Sequence, residues 1–167
     1  MEVSVEQIRT LRSQTGAGIM ECKQALLENR GDLEKASEAL RVKGFAQAAK
    51  RADRATSTGL IEAYVHTGGR VAAMVELGCE TDFVARTPEF KALAHDIAMQ
   101  VAAMAPNYLD ENEIDDGDDR PVAQVSLLQQ PFIKDNSSSV AEVVQELAAR
   151  VGENVRVLRF NRLALGE

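Results

Sequence analysis

The feature that most constrains this sequence is a change of period. Ile61, Ala63 and Val65 alternate with Glu62, Tyr64 and His66, and after Gly68-Gly69 the residues Val71, Ala73, Val75 and Leu77 alternate with Ala72, Met74 and Glu76. Such alternation puts successive side chains on opposite faces of a strand. Two adjacent glycines between the runs supply the positive φ that a tight antiparallel turn needs. The segment therefore predicts a hairpin, whose second strand delivers the chain to Cys79-Glu80-Thr81-Asp82-Phe83.

On both sides the period is helical. Ser4 followed by Gln7 has the form of a capping box, and Val5, Ile8 and Leu11 follow at helical spacing until Thr15-Gly16-Ala17-Gly18. Gly18 opens a second helix with Ile19, Cys22, Ala25 and Leu26 on its apolar face, ended by Asn29-Arg30-Gly31. Asp32 can cap a third carrying Leu33, Ala36 and Leu40, stopped at Gly44. The chain then turns alanine-rich and basic, with Lys50, Arg51 and Arg54 against Asp53, as a helical linker would. Beyond the hairpin, Thr87 and Pro88 fit the cap and first residue of a long helix with Phe90, Leu93, Ala94, Ile97, Val101 and Met104 as its stripe and Pro106 past its end. A serine run, a helix with Val140, Val143, Val144, Leu147 and Val151, a stop at Gly152 and a strand over residues 155–162 complete the pattern. The fold class is α+β: a three-helix domain over residues 1–45, a basic linker over 46–55, and a core over 56–167 with a small antiparallel sheet packed on helices.

Composition narrows the function. With 167 residues, 45% of them hydrophobic, the chain can bury a core, and no apolar run reaches the length of a membrane span. The net charge of −7 belongs to one stretch: residues 110–119 hold seven of the 26 acids and no base, and the other 19 acids balance the 19 bases. A neutral body with an acidic loop argues against a partner held by phosphate attraction. The loop reads most simply as a solvated connection. Met1-Glu2-Val3-Ser4-Val5-Glu6 has no leader character, and Cys22 and Cys79 lack paired spacing, so a reduced cytoplasmic setting is expected.

Few residues suggest covalent chemistry. The Gly16-Ala17-Gly18 loop lacks the lysine and hydroxyl of a phosphate loop and follows no strand, so it reads as a turn between helices. A nucleophilic triad would need Cys79, a base from His66 or His95, and Glu80 or Asp82, yet His66 falls at the hairpin tip, remote from Cys79. No carboxylates and histidines stand at metal-ligand spacing, and no cofactor is expected. Glu80-Thr81-Asp82-Phe83 differs in kind: polar residues flank an aromatic where a strand hands over to a helix. Composition leaves open whether Phe83 faces solvent or folds inward.

The run from Leu11-Arg12-Ser13-Gln14-Thr15-Gly16-Ala17-Gly18-Ile19-Met20-Glu21-Cys22, with Gly31-Asp32-Leu33-Glu34-Lys35-Ala36, resembles the N-terminal module of the translation elongation factor Ts family. So do Glu80-Thr81-Asp82-Phe83-Val84-Ala85-Arg86, Gln130-Pro131-Phe132-Ile133-Lys134-Asp135 and Arg159-Phe160-Asn161-Arg162. Gly78 stands where the family often has asparagine, and Leu163 where tyrosine is common. The resemblance implies an N-terminal domain of ubiquitin-associated type and a single-copy α+β core. It implies guanine-nucleotide exchange on elongation factor Tu, a cytoplasmic role without covalent catalysis. It assigns Thr81, Asp82, Phe83 and Val84 to the partner's magnesium site and Arg12, Ile19 and Met20 to a second contact made by the N-terminal domain. Short members of the family can pair as homodimers, and an open hairpin edge would favour such pairing. No direct contact with nucleic acid or membrane is implied. Two other classes remain open on residues alone: an adaptor using the three-helix domain, and an RNA-binding accessory using residues 50–54.

Overall fold

The structure is a computed structural model and describes residues 3–167. The N-terminal bundle consists of α1 (Val5–Thr15), α2 (Ile19–Glu28) and α3 (Leu33–Ala49). Each start is fixed locally. Ser4 Oγ accepts the Gln7 N–H at 3.1 Å while Gln7 Oε1 accepts the Ser4 N–H at 3.0 Å, completing the capping box. Asp32 accepts the N–H groups of Glu34 and Lys35, both at 3.1 Å. Leu11, Cys22, Ala25, Leu26, Ala36 and Leu40 form the bundle's own buried cluster.

The expected stop at Gly44 does not occur: α3 runs through it to Ala49. A Cβ at Gly44 would lie 3.0 Å from the Ala149 Cβ, so the residue marks a close helix crossing rather than a helix end. The basic linker thus begins as the last turn of the bundle's third helix.

Next come β1 (Thr58–Val65) and β2 (Val71–Cys79), the short α4 (Asp82–Ala85) and the long α5 (Pro88–Met104). The hairpin turn is wider than a two-residue loop: His66 N–H bonds Val71 C=O at 2.8 Å, and both Gly68 and Gly69 have positive φ, 91° and 66°. Thr87 caps α5 through the Phe90 N–H, with Pro88 in its first turn, and Ala105 closes the helix with φ 46°. Then follow α6 (Val122–Val125), a two-stranded ribbon of β3 (Pro131–Phe132) and β4 (Asp135–Ser139), α7 (Val140–Val151) and β5 (Val155–Ala164). The ribbon is not anticipated by strand propensity, because its Pro131, Asp135 and Asn136 are residue types depleted in strands. Buried amides hold this region: Gln100 Nε2 donates to Gln130 Oε1 and to Pro131 C=O at 3.0 and 3.1 Å, and Gln100 Oε1 accepts the Ile133 N–H at 2.7 Å.

The three-stranded antiparallel sheet has the order β1-β2-β5. Its inner face, Ala73, Val75 and Leu77 of β2 with Val155 and Val157 of β5, packs with Phe90, Ala94, Ile97 and Val101 of α5 and with Val140, Val144 and Leu147 of α7. A fully buried side chain of this size contributes about 1.5–3 kcal/mol, so this cluster carries most of the core's stability. Ile61, Ala63 and Val65 point the other way. They share the open face with Ala72, Met74 and Leu163, and Met104 at the end of the α5 stripe is also exposed.

The acidic stretch is a loop with internal order. It makes one helical turn at Glu111–Glu113, Tyr108 donates its hydroxyl to Asp115 at 3.2 Å, and Glu113 accepts the Leu109 N–H at 3.1 Å. Arg120 holds the Asp118 carboxyl down to about 2 through a side-chain hydrogen bond.

Candidate functional site

The turn from β2 into α4 presents Phe83. Cys79 ends the strand, fully buried, and Thr81 is the N-cap of α4 with φ −128° and ψ 155°. Its hydroxyl is not spent on the cap: Thr81 Oγ1 donates to Glu153 Oε1 at 2.6 Å. Asp82 is exposed and pairs with Arg86 one helical turn on, at 2.7 Å. Phe83 is 79% exposed, which settles the choice left open by composition. Val84 does not join it. At 8% exposure its side chain belongs to the core with Ala85, so it holds α4 down. The geometry follows from helical spacing: in a four-residue helix Val84 and Ala85 take the inner side, and Phe83 is left outside.

The short, anchored helix thus leaves the Phe83 ring on a surface that another molecule can reach. The N-terminal bundle offers a second such surface. Arg12 lies exposed in the last turn of α1, and Ile19 and Met20, 55% and 72% exposed, open α2 across the Gly16-Ala17-Gly18 connection. That connection is a helix–helix turn: Gly16 closes α1 with φ 69° and Gly18 caps α2. Arg150 of α7 lies against Gly16, its Cγ 2.8 Å from where a Cβ would stand. Beside these contacts a cavity of about 450 Å³ opens between the bundle and α7, lined by Gly18, Arg41, Phe45, Arg51 and Glu146 among others.

The residues considered for nucleophilic chemistry do not assemble. His66 Nδ1 lies 3.0 Å from the Tyr64 hydroxyl at the hairpin tip, and His95 Nδ1 lies 2.9 Å from Glu62 Oε1. Cys79 gives its thiol hydrogen to the Thr81 carbonyl at 3.1 Å, and burial pushes its pKa up, so the neutral thiol persists. A raised pKa means less thiolate at any given pH. At pH 8 neither Cys79 nor the equally buried Cys22 should react with a disulfide reagent in the native protein, whereas both should react once it is unfolded; a rapid native thiol would contradict this placement. Among the described residues no group of three or more His, Cys, Asp or Glu is arranged to hold a metal ion, and no helix is long and apolar enough to cross a membrane.

The basic linker is partly engaged: Arg54 reaches Glu80 Oε2 at 3.4 Å, Arg51 is half-buried beside α7 with its Nη1 enclosed, and Lys50 is exposed. Two neighbours of the Phe83 turn have no sequence signal of their own. Glu153 accepts the N–H groups of Glu80 and Thr81 at 3.2 and 3.0 Å, besides the Thr81 hydroxyl. Asn154 donates its N–H to Glu80 Oε1 at 2.7 Å and its side-chain amide to the carbonyls of Ala52 and Arg54 at 3.0 and 2.8 Å. Each follows a helix-ending glycine, where a polar residue reads as an ordinary exposed turn.

The sequence model of the family described as "Elongation factor TS" matches residues 5–118. The chain is 44% identical to an elongation factor Ts from Thermotoga neapolitana, covering all of this chain and 99% of that protein. It is 43% identical to one from Syntrophomonas wolfei, covering 99% of this chain and 91% of the relative. The Thermotoga alignment extends over 195 positions against 167 residues here, so that relative carries additional residues within the matched span.

Proposed function

The chain belongs to the elongation factor Ts family, and on that premise we propose that it is a cytoplasmic guanine-nucleotide exchange factor for elongation factor Tu. It binds the GDP-bound GTPase, promotes GDP release by disturbing the magnesium and phosphate site, and leaves when GTP binds. The observation that carries this reading is Phe83, exposed beside Asp82 on a helix anchored from below by Val84 and Ala85.

No covalent step is required. An exchange factor binds the nucleotide-free GTPase more tightly than the nucleotide-bound one, and linkage makes bound nucleotide weaken the factor's affinity by the same ratio. Each tenfold acceleration of release requires about 1.4 kcal/mol of preference for the opening transition state. Phe83 and Asp82 direct this energy at the nucleotide site. Arg12, Ile19 and Met20 grip the GTPase elsewhere and supply affinity that does not depend on the nucleotide.

The open sheet face supports a second element of the reading, a homodimer. Val65, Ala72 and Leu163 form one cross-strand row on it, and Ala63, Met74 and Asn161 the next. A face of this kind on an antiparallel sheet is normally polar, and here charge enters in the adjoining row, where Glu76 pairs with Arg159 beside Ile61. A second copy, packed about a two-fold axis, would cover it with the same residues. The adaptor reading has no specific observation in its favour, and the pairing of Arg54 with Glu80 weighs against an RNA-binding linker.

The test is release of fluorescent GDP from elongation factor Tu in stopped flow, chased with unlabelled GDP at increasing concentrations of this protein. The rate should rise and saturate. A rate that stays at the spontaneous value while the two proteins co-purify would overturn exchange in favour of an adaptor.

A further inference from the structure

Glu153 lies in the turn between α7 and β5, 72 residues from the site in sequence, yet its carboxylate takes three hydrogen bonds from the Phe83 turn. Thr81 is thereby held at every polar group: its N–H and O–H donate to Glu153, and its carbonyl accepts the Cys79 thiol and the Ala85 N–H. Phe83 is two residues further along a four-residue helix whose inner side is held by Val84 and Ala85 and whose first turn is set by Thr81. We infer that Glu153 is a positioning residue for exchange, fixing the Thr81 turn so that the Phe83 ring meets the GTPase already oriented. The inference rests on the reading that Asp82 and Phe83 act on the nucleotide site.

The energetic reason is preorganisation. A loop that is ordered before binding does not lose conformational freedom on binding, and that saving appears in the step where the loop acts. Removing the carboxylate leaves two backbone N–H groups of one turn without their partner, and water that replaces it cannot hold both in one geometry. Asn154 extends the same brace: through Glu80 and the carbonyls of Ala52 and Arg54 it ties the end of the linker to the turn. Glutamine at 153 keeps the geometry. Its carbonyl oxygen can accept both backbone N–H groups while its amide donates to the Thr81 hydroxyl, which reverses its role.

The test is a mutant cycle read in stopped flow as the maximal rate of fluorescent GDP release and the factor concentration giving half of it, with thermal unfolding alongside. Glu153→Ala should lower the maximal rate about tenfold while moving the half-saturating concentration less than about threefold, and Glu153→Gln should stay within about threefold of the unaltered protein. In a Phe83→Ala background, adding Glu153→Ala should cost less than about twofold, because the group it positions is gone. A full tenfold further loss there would show a general structural role and overturn the inference, as would an unchanged rate for Glu153→Ala alone. If Phe83→Ala itself releases GDP at the unaltered rate, the reading of the site fails and the positioning role with it. Should Glu153→Ala fail to fold, Thr81→Val deletes only the 2.6 Å hydroxyl bond; it should slow release about threefold without adding to Phe83→Ala, and no loss, or an additive one, overturns the role.

Discussion

Phe83→Ala is expected to slow GDP release at saturating factor by about thirtyfold to a thousandfold, the equivalent of the roughly 2–4 kcal/mol that a central interface aromatic costs on truncation. The loss should fall on the maximal rate. Phe83 is 79% exposed, so its removal opens no cavity in the core, and unfolding should move by no more than about 0.5 kcal/mol, as for other surface changes. Complex formation should survive, because Arg12, Ile19 and Met20 remain on a bundle with its own buried cluster. Such a variant separates binding from exchange: it occupies the GTPase without opening it. Equal release rates for variant and parent at saturation would move the exchange function away from this turn. Met20→Ala provides the contrast, raising the half-saturating concentration with little change in the maximal rate.

Much of this arrangement is legible from local chemistry. The Ser4 and Gln7 box, Asp32, Thr87-Pro88 and Gly152 sit where the helices begin or end, because a cap acts within its own turn and needs no distant partner. What is not legible depends on distant contacts. Gly44 looks like a stop until Ala149 is seen across from it. Glu153 looks like a solvated residue after a helix end until the Thr81 turn, 72 residues away, is placed against it. The hairpin was readable as a hairpin, but the alternation of β1 does not say which face is covered. Its apolar set, Ile61, Ala63 and Val65, lies on the open side because α5 packs on the other. Phe83 and Val84 are adjacent in one motif yet have opposite fates, a consequence of helical rotation that a motif cannot express.

The open face leads to the second large effect. Met74→Lys is expected to convert a dimer of about 36 kDa, twice the 18.2 kDa chain, into a monomer in sedimentation at tens of micromolar. Three strands about 4.8 Å apart and eight residues long at about 3.3 Å each give a plan area of roughly 400 Å². Side-chain relief raises the accessible area above this, toward the lower end of the roughly 800 Å² per partner that stable interfaces bury. A pairing near that threshold depends on each anchor. Met74 stands on the central strand, between Ala63 and Asn161 in the middle row of the face, so a two-fold packing brings it toward its own copy. Lysine there sets like charges facing each other in a desolvated patch, which costs several kcal/mol when neither finds a counter-ion. Dissociation should strengthen at least about a hundredfold, since that ratio needs only about 2.7 kcal/mol. The fold itself should be spared: Met74 is already 49% exposed in the single chain, and a lysine stem can lie along the sheet with its ammonium in water. Met74→Leu keeps the apolar surface and should remain a dimer. A parent protein that sediments at 18 kDa, or a Met74→Lys variant that sediments with it as a dimer, would exclude this face as the site of pairing.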